Sequence, residues 1–330
     1  MTLARPFPGA GAVSPNPSIT TVEKNIQNGL SQQWNFTVER EVARNLGVRA
    51  SYVGNKTSHL PWYNRSINVP ERQRAGVLQA QRPYQPWSDI LLLAGGGDST
   101  IHQLQFEAIQ RFSHGLSFQA EYSFNRSLDN VPIVGGPQNP YDNRADRGNS
   151  EQIRRHIFTL AYSYDLPFGP GKPLANVAGP LGKLIGGWQV SGITYLRTGT
   201  PFSVGFSPTL SGWLGSRPDA LRDGKLSRGE RSITRWFDAS AYAVPQSFTY
   251  GNSARNILFG PGDIVFDVSF LKNTKIRERY TVQFRGEFFN LPNHANFGNP
   301  AASISNPGSV GRITSAGDPR QIQFGMKVLF

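Results

Sequence analysis

Long antiparallel strands with very little helix are what this sequence predicts. Three observations carry that expectation. Apolar and polar residues alternate with a period of two in one run after another, which sends successive side chains to opposite faces of an extended chain. Helical periodicity is nearly absent. Short and long connections between the runs alternate along the chain. The fold class expected is all-β and antiparallel, with about nine strands.

The elements follow in order. Residues 1–31 are polar, with Pro and Gly frequent over Pro6–Ser31, and read as a lead-in. Trp34, Phe36 and Val38 then alternate with Asn35, Thr37 and Glu39, and a turn at Arg44-Asn45-Leu46-Gly47 leads into Val48, Ala50 and Tyr52. Leu104, Phe106, Ala108 and Phe112 face Leu116, Phe118, Ala120, Tyr122 and Phe124 across Ser113-His114-Gly115, the spacing of a tight hairpin. A fifth run carries Phe158, Leu160, Tyr162 and Tyr164 and stops at Leu166-Pro167-Phe168-Gly169-Pro170, where proline cannot donate to a ladder. Trp188 to Leu196, Ile264 to Phe270, Tyr280 to Phe288 and Ile322 to Phe330 complete the set.

Runs of roughly 9–11 residues match a tilted bilayer crossing, whereas soluble strands average about 5–6. The alternate face is polar: Gln103, Gln105, Glu107, Arg111, Gln119, Glu121, Gln283, Arg285 and Glu287. The long links, Lys56–Thr100, Arg126–Arg155, Thr198–Asp263 and Leu291–Arg320, alternate with the short ones, as the extracellular loops and periplasmic turns of outer-membrane barrels do. Residues 32–330 are therefore expected to form part of a transmembrane β-barrel, and residues 1–31 an extracellular-loop-like lead-in.

Composition narrows the chemistry. The 330 residues include no Cys, which excludes disulfides, thiolate metal sites and a cysteine nucleophile. Lys and Arg number 34 against 22 acids, a net charge of +12. The basic residues are scattered, and the densest stretch, Arg217 to Arg235, is broken by Asp219, Asp223 and Glu230, so no nucleic-acid partner is expected. His59, His102, His114, His156 and His294 show no metal-ligand spacing. Gly95-Gly96-Gly97-Asp98 lacks the Lys-Ser/Thr ending of a phosphate loop and reads as a flexible loop tip. Asp129, Asp142, Asn143 and Asp146 lack calcium-loop spacing and read as solvated loop polarity. Neither an enzyme nor a cofactor site is expected.

Several stretches resemble the C-terminal barrel of TonB-dependent outer-membrane receptors of the Oar-like type. They are Tyr164-Asp165-Leu166-Pro167-Phe168-Gly169, Gly186-Gly187-Trp188-Gln189-Val190-Ser191-Gly192, Thr198-Gly199-Thr200-Pro201-Phe202, Arg255-Asn256-Ile257-Leu258-Phe259-Gly260-Pro261-Gly262 and Glu287-Phe288-Phe289-Asn290-Leu291-Pro292-Asn293-His294. The resemblance covers most of the chain from about Gln32 onward. The tail is similar to the final strand of outer-membrane proteins, in which Phe324, Met326, Val328 and Phe330 would form the signal read by the barrel-assembly machinery.

The resemblance implies a bacterial outer-membrane location and energised uptake of an unknown ligand, either an oligosaccharide or a chelate. It also implies a 22-strand barrel with an N-terminal plug coupled to the TonB system. This sequence shows no secretory leader, plug or TonB box, and nine strands is an odd number where bacterial single-chain barrels are even. The expectation is a C-terminal barrel portion, bathed in outer-membrane lipid, that depends on the missing plug and remaining strands and does not transport alone.

Two sets of side chains are candidates for ligand contact. The loop aromatics Trp62, Tyr63, Tyr84, Trp87, Trp213 and Trp236 would either stack on flat ligands or pack the long loops together. Glu107, Arg111, Glu121, Arg285 and Glu287 would either line a path or pair with one another. The alternative class is a soluble all-β polysaccharide-binding module.

Overall fold

A computed structural model of the protein describes residues 14–131, 137–277 and 280–330; the side chains at 63–65 and 277 lie outside it. Nine strands form one antiparallel meander in sequence order. They are β1 (Leu30–Ala43), β2 (Leu46–Ser66), β3 (Ile90–Ser113), β4 (Leu116–Asp129), β5 (His156–Asp165), β6 (Trp188–Arg197), β7 (Asp263–Arg277), β8 (Tyr280–Phe289) and β9 (Gln321–Leu329). Each strand pairs with the next, and β1 and β9 are the two edges. The sheet is not closed.

Turn chemistry explains the short-turn rim. At the β3–β4 hairpin, His114 and Gly115 both have positive φ, the mirror-image turn whose twist suits antiparallel strands. At the β1–β2 turn, Asn45 takes φ 66 and its N–H donates to Glu41 Oε1 at 3.0 Å. A largely exposed helix, α1 (Gly179–Ile185), lies in the link between β5 and β6, with only Gly182 buried.

The register sorts side chains into two faces. One apolar row crosses seven strands as Val38, Ala50, Phe106, Tyr122, Phe158, Leu196 and Ile264. A second runs Phe118, Tyr162, Gly192, Val268, Phe288 and Ile322. No described residue covers this face: Phe36 is 69% exposed, Phe106 50% and Met326 75%. Gly54 sits opposite Trp34, whose ring lies where a side chain at Gly54 would go, with the indole Cε2 2.1 Å from an added Cβ.

Three expectations are corrected. Strand lengths run from 9 to 24 residues, because β2 and β3 continue as a paired ribbon through about half of the predicted loop Lys56–Thr100, with register shifts after Thr57, Leu60 and Trp62. The predicted loop tip Gly95–Asp98 lies inside β3, where Gly97 pairs with Leu60 and an added Cβ would come within 2.3 Å of Val131 Cγ2. The predicted turn Lys272–Arg279 begins only after Arg277, since β7 pairs with β8 through that residue. In the lead-in, Ile19–Val22 adds to the ribbon as a short parallel strand against Ile90–Leu93.

Candidate functional site

The face opposite the apolar rows is hydrophilic. Ser117, Ser163, Ser191, Ser269, Glu287 and Gln323 stand directly side by side on six consecutive strands. All of these but Gln323 line, with Gln119, Ile193, Asp267 and the apolar Ala161 and Phe289, a trough of about 560 Å³. Higher on the wall, Glu39, Arg49, Glu107 and Glu121 form a charged row. Arg49 bridges Glu107 at 2.5 Å, and the Gln119 amide donates to Glu107 at 2.9 Å and to Glu121 at 2.7 Å. Arg285 reaches Glu287 on its own strand at 3.4 Å.

The long-loop rim carries the protein's buried apolar cluster. Phe202, Val204, Phe237, Ala241, Tyr242 and Leu258, all from the 198–262 segment, pack with Ala302, Ile304 and Val310 of the following loop. Phe202 and Tyr242 contact Phe237 ring to ring. Burial pushes the Tyr242 hydroxyl up to about 12, with Asp223 and Asp238 adding to the effect. Asp238, held by the Ser240 hydroxyl and then by Arg222, lies below the usual carboxylate range.

Two buried arginines fasten this cap to the wall. Arg217 donates to Asp146 at 2.5 Å, to Ser253 O at 3.0 Å and to Ala145 O at 2.7 Å. Arg255 pairs with Asp129 at the end of β4 and with Glu151 at 3.1 Å, and donates to Asp146 O at 2.8 Å. Asn149 and Asn256 exchange amide-to-carbonyl hydrogen bonds at 2.8 and 2.7 Å. Asp129 and Asp146 are thus consumed by arginines, which corrects the reading of them as solvated loop polarity; Asp146 is 1% exposed. Sequence reasoning missed this latch because its partners lie 71 to 126 residues apart.

The loop aromatics do not share one surface. Trp62 is buried at the foot of the β2–β3 ribbon opposite Ala94, and Trp213 is buried between Phe206 and Phe248 with its N–H on Thr249 O at 2.7 Å. Trp236 is half-buried against the cap core, donating to Phe259 O at 2.8 Å beneath the Arg231 guanidinium. Trp87 is half-buried; its carbonyl accepts from the Asn68 and Gln79 amides. Tyr84 is 54% exposed, and the Tyr63 side chain falls outside the described residues. Phe324, Met326 and Val328 project from edge strand β9, and Phe330 beyond it is 97% exposed.

At the mouth between these regions, Arg154 and Arg197 share Asp263 at 3.0 and 2.9 Å, beside a polar cavity of about 540 Å³ reached by Asn296 and Asn299. A wall with one bare apolar face, one hydrophilic face and a cap of long loops at one rim is the arrangement of a barrel protein. The outer membrane beta barrel domain model matches residues 1–323.

This chain belongs to that outer-membrane β-barrel family. Its place is the bacterial outer membrane. No curated protein matches it. Among solved structures, similarity is to BauA, the ferric preacinetobactin receptor of Acinetobacter baumannii, at 12% identity and TM-score 0.46, covering 91% of this chain and 29% of that one. The outer-membrane transporter YddB of Escherichia coli matches at 8% identity and TM-score 0.49, covering 96% and 34%. The pyoverdine receptor FpvA of Pseudomonas aeruginosa matches at 12% and 0.46, covering 92% and 30%. The chain spans about a third of the length of these proteins.

Proposed function

We propose that this outer-membrane β-barrel chain is the C-terminal wall and extracellular cap of a TonB-dependent receptor of the Oar-like type, taking up a ligand whose class stays open between an oligosaccharide and a chelate. The observation that carries the reading is the pair of bare edges. In lipid each unpaired backbone group costs several kcal/mol, so β1 and β9 call for further strands to close the barrel. The latched cap supports the same reading, since it holds long loops in fixed positions over the rim where ligand arrives. Tyr84 and the Arg154–Arg197 cavity offer accessible contact groups there, while Trp62 and Trp213 act by packing the loops.

In this reading the chain receives its lost partners from elsewhere: strands to complete the wall, a plug for the lumen, and through the plug the TonB system. The barrel-assembly machinery reads Phe324, Met326, Val328 and Phe330 on the outward face of the last strand. The bare apolar rows weigh against a soluble polysaccharide-binding module, which would have to cover them.

An immunoblot of fractionated native cells tests this, with antibody to the exposed stretch Ser227–Arg235. The reading expects an outer-membrane band. A mass well above 36.4 kDa places the missing strands on the same polypeptide; a band at that mass requires a second chain, recoverable by cross-linking at β1 or β9. A soluble band would overturn the proposal.

A further inference from the structure

The lipid-facing side of the sheet is not uniform. Over most of it large side chains stand shoulder to shoulder, but across β2, β3 and β4 the row holding Val48, Ala108 and Ala120 is small. The neighbouring row is tall, with Val38, Phe106, Tyr122 and Phe158 beside Ala50. Small next to tall leaves a groove of about 460 Å³. Its lining comprises these two outward rows, with only Arg49, Glu107 and Glu121 of the inward row between them, so it opens to the lipid side.

At one end of the groove stands Arg40, directly opposite Val48 and on the same outward row. Its position is unusual: the side chain is exposed on a lipid-facing row, and no acidic residue among the described residues pairs with it. A cation on that surface is costly near the bilayer centre and much less so near an interface. Arg40 lies close to the short-turn end of β1, which finishes at Ala43. That rim is the periplasmic one in barrels of this kind. A long guanidinium side chain there reaches the headgroup level, where it meets phosphate in paired hydrogen bonds.

We propose that this groove is a binding site for one glycerophospholipid of the periplasmic leaflet, its acyl chain lying over Val48, Ala108 and Ala120 and its phosphate held by Arg40. Charge complementarity selects the occupant. A second protein segment would satisfy the apolar track but leave the guanidinium without an anion. The bound lipid fills the dent in the wall and neutralises Arg40 together, which removes the cost of each. The inference rests on the sheet standing in the outer membrane with these rows outward.

The test is native mass spectrometry of the chain extracted from outer membranes with a mild detergent, then titrated with dioleoylphosphatidylglycerol. Wild type is expected to retain one phospholipid. Ala120→Phe, which fills the groove without adding polarity, should lower that occupancy at least fivefold, and Arg40→Gln should do the same. Arg40→Lys, keeping the charge, should retain most of it, and Leu160→Phe, outside the groove lining, should match wild type. Equal occupancy in wild type, Ala120→Phe and Arg40→Gln would overturn the site, as would equal loss in Leu160→Phe. If Arg40→Gln fails to reach the membrane, Ala120→Phe against Leu160→Phe still decides. Absence of the wild-type chain from the outer membrane would instead defeat the barrel reading itself.

Discussion

The sheet and the loop cap use the same residue types in opposite ways. On the sheet, Phe36, Phe106 and Met326 are half to three-quarters exposed, and Glu39, Glu107, Glu121 and Glu287 turn inward. In the cap, Phe237 is 2% exposed, Tyr242 6%, and the charges that matter are buried in pairs. The difference is one of solvent. A strand facing hydrocarbon has no hydrophobic reason to hide a phenyl ring, while a loop facing water does. The cap therefore folds as a small soluble domain would, around its own core, and is tied to a wall that folds as a membrane protein does.

The largest effect expected of any single change tests the cap. Arg217→Ala leaves Asp146 charged, buried and unpaired, which costs about 3–5 kcal/mol. Hydrogen exchange should quicken throughout residues 198–262 and leave β4 to β8 unchanged. Exchange that quickens equally in the strands would mean the two regions are one cooperative unit.

The matching change on the wall is Phe118→Arg, in the outward row with Tyr162 and Val268. It should cost about 2–4 kcal/mol near the membrane midplane, read by denaturant unfolding from liposomes, whereas Gln119→Arg on the trough side should be nearly neutral. Equal costs would reverse or abolish the facing.

High pH should separate the regions without mutation. The folded cap keeps the Tyr242 proton up to about 12, above the ordinary tyrosine value of 10.0. A raised folded value means stability is intact below pH 10 and declines as pH rises toward 12. Cap exchange should quicken in that window, and Tyr242→Phe should weaken the response, leaving the part due to Tyr250, which burial likewise pushes up to about 12. The smallest effect is expected from Arg285→Gln. Its bond to Glu287 is solvent-accessible, so removing it should change stability by about 0–1 kcal/mol.

What could be read from the sequence follows from the same division. Period-two alternation is local, so the strands and both of their faces were legible: Phe118 and Gln119 fall on opposite sides as read. The β2–β3 ribbon beyond the alternating core was not, because its register shifts and the Gly95–Gly97 run break the pattern while backbone pairing continues. The cap latch was invisible for another reason. Arg217, Asp146 and Arg255 carry no local signature, and only the folded loops bring them together. The loop aromatics were found as residues but not as an arrangement, since burying Trp62 and Trp213 depends on those same long-range contacts.

The facing of the wall is the claim on which the rest depends, and the absence of Cys from the chain makes it directly measurable. Single cysteines at Gln105, Phe106, Glu107 and Ala108 of β3 can each carry a spin label in the outer membrane, with collision rates measured for oxygen and for a water-soluble nickel complex. Positions 106 and 108 should favour oxygen, and positions 105 and 107 the nickel complex, in strict alternation. Four positions equally open to the nickel complex would contradict a sheet standing in lipid.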